Sequence, residues 1–182
     1  YAGARNKAAL IRLLSPVQRA AESSVLIREL VEIPYGADPS VTVTWSDFRS
    51  SSLSALGVSH ALVPVQPPVE KVPGALEAAG FEMSEAWYAT DAFGPEQVAR
   101  LGSIETMRGH RFVQLEVHPV RYNPVRGEVE YATRLEVTVD FAGGDLAETR
   151  RMLERYSTGR FAKFAADAFI NHDAFASRYT IP

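Results

Sequence analysis

Cysteine is missing from all 182 residues. Its absence excludes disulfides, thiolate metal sites and a cysteine nucleophile within this chain. It leaves the compartment open. Long apolar runs are missing as well, and none approaches the ~20 residues a bilayer-spanning helix needs. No signal-peptide pattern is visible, and Tyr1 is not an initiator Met, so the chain is expected to begin after processing. Basic surplus is also lacking. Nineteen Lys and Arg face 22 Asp and Glu for a net charge of −3, with no basic stripe interleaved with aromatics, so nucleic acid is not indicated. Catalytic motifs are absent too. The four histidines, His60, His110, His118 and His172, come with no Gly-x-Ser-x-Gly, no His-Glu-x-x-His and no phosphate loop. His172 and Asp173 are neighbours and rarely would face each other; a helix-end histidine is simply favourable at the negative dipole end. His110 and His118 fall on polar strand positions and read as solvated. No catalytic residue, metal site or cofactor is expected.

What is present suits one soluble domain with a proper core: 46% hydrophobic and 23% charged residues. Val113, Leu115 and Val117 alternate with Gln114, Glu116 and His118. From Val129 the pattern resumes through Tyr131, Thr133, Leu135, Val137, Val139 and Phe141. Period-two alternation of this length predicts half-buried antiparallel strands over 112–118 and 129–141. Between them, Asn123-Pro124 starts a turn and Gly127 supplies positive φ, so the two segments are expected to pair as a hairpin.

Upstream, Val25, Ile27, Val31 and Ile33 alternate with Arg28 and Glu32, and Val41, Val43 and Trp45 form the next buried face. Residues 1–24 read as a lead-in, with 7–23 a short helix or irregular segment because Pro16 interrupts the helical spacing. Residues 50–100 are the least regular, with His60 to Val65 a broken edge strand and Pro67 to Gly74 extended and stiff. Such long irregular stretches are often functional. After Gly143-Gly144 the period changes. Asp145 and Glu148 form a capping pair, and Phe161, Phe164, Ala165, Ala168 and Phe169 share a helix face closed by Asn171-His172-Asp173. The fold class is mainly β, α+β: an antiparallel β-sandwich over 25–142 with C-terminal helices and an extended tail over 143–182.

One stretch is more specific. Arg100-Leu101-Gly102, Arg108-Gly109-His110-Arg111 and Pro119-Val120-Arg121-Tyr122-Asn123-Pro124, followed by Gly127 and Val129, resemble the propeptide of the gingipain family of cysteine peptidases. The likeness is close over roughly residues 98 to 141. It implies a domain that covers the active-site cleft of its own precursor's catalytic domain, keeps the zymogen latent and assists its folding. It also implies an extracytoplasmic setting.

Family propeptides can place a basic residue in the specificity pocket. Lys71 is the only basic residue between Arg49 and Arg100 and lies in the proline-stiffened part of the inhibitory segment, about 64–100; Arg100 is the second candidate. A stiff segment loses less entropy on binding. Arg108, Arg111, Arg121 and Arg126 gather around the presumed hairpin as a partner interface, the alternative being cross-strand pairing with Glu116, Glu128, Glu130 and Glu136. Arg178, in an exposed tail, is a candidate processing site. The competing reading is a non-catalytic adhesion or carbohydrate-binding module with Trp87 and Tyr88 as aromatic platforms.

Overall fold

A computed structural model describes residues 6–14, 26–64, 66 and 68–179. Two antiparallel sheets dominate. The first has the order β1 (Asn6–Leu14), β7 (Glu128–Gly143), β3 (Ala37–Ser52), with β6 (Val120–Asn123) also paired to β7. The second has the order β2 (Ile27–Glu32), β5 (His110–Val117), β4 (Ala99–Met107). Helices α1 (Ala75–Ala78) and α2 (Glu85–Tyr88) are single turns, whereas α3 (Leu146–Tyr156), α4 (Gly159–Ala168) and α5 (His172–Tyr179) close the chain. By contact density the chain divides into two compact units. The first comprises 1–49, 96–120 and 131–182; the second comprises 50–95 and 121–130.

The first unit holds a sandwich core. Val31, Ile33, Val113, Leu115, Val117, Leu135, Val137 and Val139 are all sealed from solvent in one cluster, with Val41, Val43 and Phe48 packed against it. The expected inward residues are therefore inward, but the expected pairing is wrong. β5 pairs with β2 and β4, and β7 pairs with β1 and β3, so the two strands lie in different sheets and share a core instead of a ladder. Alternation reports which face of a strand is buried, and that face reads the same whether its neighbour is beside it or across from it.

Four further expectations change. Residues 6–14 form a strand and not a helix: Leu10 lies opposite Thr138 and Leu14 opposite Arg134 along one edge of β7. Ala and Leu favour a helix locally, but an open ladder of backbone groups overrides that propensity. Along β7 the parity of buried positions shifts at Ala132, leaving Tyr131 and Thr133 only partly covered. The C-terminal segment is helical through Tyr179, so Arg178 sits in the last turn of α5 and not in an extended tail. His60 to Val63 form no strand among the described residues. The roles expected for Val25, the Trp45 side chain, Val65, Pro67, the Pro16 region and residues 180–182 lie outside the described residues.

The helices add a third layer. Phe112 points away from the sandwich core into Phe169 and Ala165, with Leu30, Met107 and Phe161 around them. Phe161, Ala165 and Phe169 are spaced i, i+4, i+8, while Phe164 is left exposed. Asp145 caps α3 as its spacing predicts, its carboxylate accepting the Glu148 N–H at 2.9 Å. β2 is an edge strand, and the chain after α4 covers that edge. Ile170 donates to the Leu30 carbonyl at 3.0 Å. The Asn171 amide then takes the place of a strand partner, accepting from Glu32 N at 2.8 Å and donating to Glu32 O at 2.9 Å. Covering an edge in this way removes a template for unwanted pairing.

Candidate functional site

The two motifs that carry the family likeness turn out to be builders of the scaffold. Arg108 and Gly109 have φ of 51 and 84 and form the two-residue turn between β4 and β5, with Met107 opposite His110. Gly109 is required twice over, because a Cβ there would also overlap the Met152 carbonyl of α3. Arg108 at the turn is exposed. Arg111 is half-buried and donates to the Pro34 and Ala37 carbonyls at 2.7 and 3.0 Å, pinning the turn between β2 and β3.

The Tyr-Asn-Pro motif does the same for the second unit. Asn123 is buried, and its Oδ1 accepts from Val125 N and Arg126 N, both at 3.1 Å, while Gly127 completes the turn at φ 62. Its amide donates to Asp91 at 2.8 Å, and Arg126 meets the same carboxylate through Nε at 2.6 Å. Hydrogen bonding from Arg126, then from Asn123, holds the Asp91 carboxyl below its ordinary range. Arg121 pairs with Glu130 at 2.5 Å. Of the four candidate interface arginines, three are thus engaged in bonds within their own unit, and Arg108 stands exposed.

Arg100 and Lys71 occupy different environments. Arg100 lies in β4 and not in the irregular segment, where its Nε reaches Glu116 at 2.6 Å. Arg28 reaches the other carboxylate oxygen at 3.2 Å. Burial alone would push the Glu116 carboxyl up, but hydrogen bonds and charge from Arg100 and Arg28 outweigh it and hold the group below its ordinary value. Lys71 is exposed in a bend. The segment that carries it is closed at its base by Gln66, whose Oε1 accepts from Glu82 N at 2.8 Å and whose Nε2 donates to Glu82 O at 3.0 Å. Pro68, Val69, Ala79 and Phe81 line an apolar pocket of about 390 Å³ there. Large apolar side chains of this unit face solvent, including Val63 at 65%, Phe81 at 60% and Val72 at 55% exposure. Trp87 packs edge-on against Tyr88, with centroids 4.8 Å apart.

A further group of residues went unread in the sequence. Glu32, expected on a solvated face, is 0% exposed, and His110, expected in solvent, is 4% exposed. Each oxygen of the Glu32 carboxylate meets an imidazole: Oε1 the Nδ1 of His110, and Oε2 the Nδ1 of His172 at 2.7 Å. His110 Nε2 contacts Ser157 Oγ at 2.9 Å, and its ring stacks on Phe169. His172 opens α5 and does not end the preceding helix. The residues are 78 and 140 positions apart in the chain, so no local spacing could have joined them.

A two-sheet antiparallel sandwich with a helical layer on one sheet defines the class, a β-sandwich domain with C-terminal helices. The particular family follows from comparison. Residues 35–178 match the family model Propeptide_C25, and the chain belongs to that family, the propeptides of gingipain-type peptidases. Lys-gingipain HG66 and Lys-gingipain W83 of Porphyromonas gingivalis are each 29% identical over 151 residues, or 80% of this chain. The chain spans only 9% of the length of those relatives. A structure addressing the zymogenic latency of gingipain K from the same organism is 31% identical. It has a TM-score of 0.56 and covers 66% of this chain and 64% of that one. A complex of the P. gingivalis RgpB pro- and mature domains, at 17% identity and TM-score 0.59, covers 81% of this chain and 70% of that one and shares the fold.

Proposed function

We propose that the chain keeps a gingipain-like cysteine peptidase precursor latent, covering the active-site cleft of its own catalytic domain and assisting that domain's folding outside the cytoplasm. The observation that carries this reading is the second unit's row of solvent-facing apolar side chains flanking an exposed lysine. A soluble domain gains nothing from leaving Val63, Val72 and Phe81 in water unless a partner covers them. Lys71 is the residue for the specificity pocket, since it is exposed and its segment is closed at the base by the Gln66–Glu82 bonds. Arg100 is the weaker candidate because it would have to leave Glu116. Arg108 is the arginine of the hairpin group best placed to touch a partner.

The chain itself performs no catalysis in this account, and the missing cysteine supports that assignment. Activation cleavage at Arg178 would require the last turn of α5 to open, because Tyr179 beside it is buried. The adhesion-module alternative loses its ground to the family match. The test is titration of the cognate catalytic domain with the 182-residue chain. Stoichiometric loss of peptidase activity is expected, and undiminished activity at saturating chain would overturn the reading.

A further inference from the structure

We propose that Glu32, His110 and His172 form a binding site for a divalent transition-metal ion of the zinc class, which ties β2 and β5 of the second sheet to α5. One donor atom from each residue, two imidazole nitrogens and a carboxylate oxygen, lie within 4.8 Å of one another. They come from three elements, β2, β5 and the start of α5. Two imidazoles and one carboxylate are a donor set that suits Zn²⁺, whereas Mg²⁺ and Ca²⁺ require mostly oxygen.

Charge accounting makes the same point. Glu32 is wholly buried, and among the described residues its only ion partners are these two histidines. Among the described residues no Arg or Lys is paired with it. A buried carboxylate needs a compensating cation, and a bound metal ion would supply it. The surroundings are those of a supported ligand set. Asn171 clamps the Glu32 backbone from both sides, and Ser157 Oγ meets the far nitrogen of His110. A hydroxyl can donate to that nitrogen or accept from it, so Ser157 suits His110 with its proton on either nitrogen. Partners of this kind orient the ligands and sharpen metal affinity. His172, with a side chain 14% exposed, opens the cluster to solvent on one side.

Direct imidazole–carboxylate contact is the metal-free form. On binding, the Nδ1 lone pairs and a carboxylate oxygen coordinate the ion. Each proton on Nδ1 passes to Nε2 or to solvent, and no redox change occurs. Because the three ligands come from three elements, the ion would cross-link the sheet to α5.

The test uses the whole chain, freed of metal by chelation and then titrated with Zn²⁺, Co²⁺ and Mg²⁺. One equivalent of Zn²⁺ should bind, and Co²⁺ should give the intense visible bands of a tetrahedral site. At a hundredfold excess over Kd, Zn²⁺ should raise Tm by about 5–10 °C, and Mg²⁺ should not. His172→Ala, at the solvent edge, should weaken Zn²⁺ binding at least about tenfold, while His60→Ala leaves it unchanged. Absence of stoichiometric uptake by the parent chain would overturn the proposal and assign the compensating charge to a proton on one imidazole. Equal binding by parent and His172→Ala would overturn it too, by locating the ion elsewhere.

Discussion

The two units of this chain bury their apolar residues to different extents. In the first, Val31, Ile33, Val113, Leu115, Leu135, Val137 and Val139 are sealed between two sheets, while Ile104, Leu146, Phe164 and Ile170 face solvent. In the second, Leu53, Tyr122 and Val129 are buried, but Leu56, Val63, Val69, Val72, Phe81, Met83 and Val125 face solvent. Burial of a Val, Leu or Phe side chain stabilises by about 1.5–3 kcal/mol. The first unit gains that stabilisation in its core, and the second gains less of it. The proposed division into scaffold and docking element rests on that difference.

That contrast can be broken most directly in the core. Leu135→Ala removes a sealed side chain and should cost about 2–5 kcal/mol, read from the urea unfolding midpoint. Phe81→Ala, by contrast, should leave the midpoint nearly unchanged because Phe81 is already exposed. A loss at Phe81 as large as at Leu135 would mean the second unit has its own tight core. Gly109→Ala comes next. Positive φ and overlap with the Met152 carbonyl should together cost about 2 kcal/mol or more and displace α3. A melting temperature equal to the parent's would show that the turn tolerates a side chain and that the motif glycine serves something else.

Smaller effects follow from charge. Glu116 is held below its ordinary carboxyl value of 4.5, so its stabilisation is present above that pH and is lost as pH falls through the lower, folded value. His118 is held below 6.5, by burial first and by Arg100 next. The unfolded chain therefore takes up that proton more readily than the folded chain, and stability declines as pH drops below 6.5. Both slopes have the same sign, and the first unit should weaken in acid. Glu116→Gln should flatten the loss that sets in below the ordinary carboxyl value of 4.5, measured as the shift in urea midpoint. An unchanged acid slope would remove Glu116 from the account.

The scaffold was largely legible because burial writes a short-range signal. Val113, Leu115 and Val117, or Phe161, Ala165 and Phe169, declare their faces within a few residues. Pairing leaves no such local mark, which is why β5 and β7 read as a hairpin although each pairs elsewhere. Residues 6–14 have helical composition but lie along the edge of β7, a fact set by distant backbone groups. The Glu32 cluster was invisible for a related reason. Alternation places Glu32 and His110 on the polar faces of their strands, and that assignment is right. The helical layer then covers those faces. The motifs that marked the family, around Gly109 and Asn123, are turn chemistry. Lys71 lies in no motif at all, and only the prolines around it mark its segment in the sequence.

The inhibitory contact is proposed to lie on the second unit, at Lys71. Its most direct test is the inhibition constant of the chain against the cognate catalytic domain for the parent, Lys71→Ala and Arg100→Ala, with Tm measured alongside. Lys71→Ala should weaken inhibition at least about tenfold with Tm within about 1 °C of the parent, since losing one partner of a desolvated pair costs about 2–5 kcal/mol. Arg100→Ala should instead cost about 1 kcal/mol of stability through Glu116 and leave inhibition nearly intact. Equal inhibition by the parent and Lys71→Ala, with the loss falling on Arg100→Ala, would contradict that division and move the contact onto β4 of the scaffold.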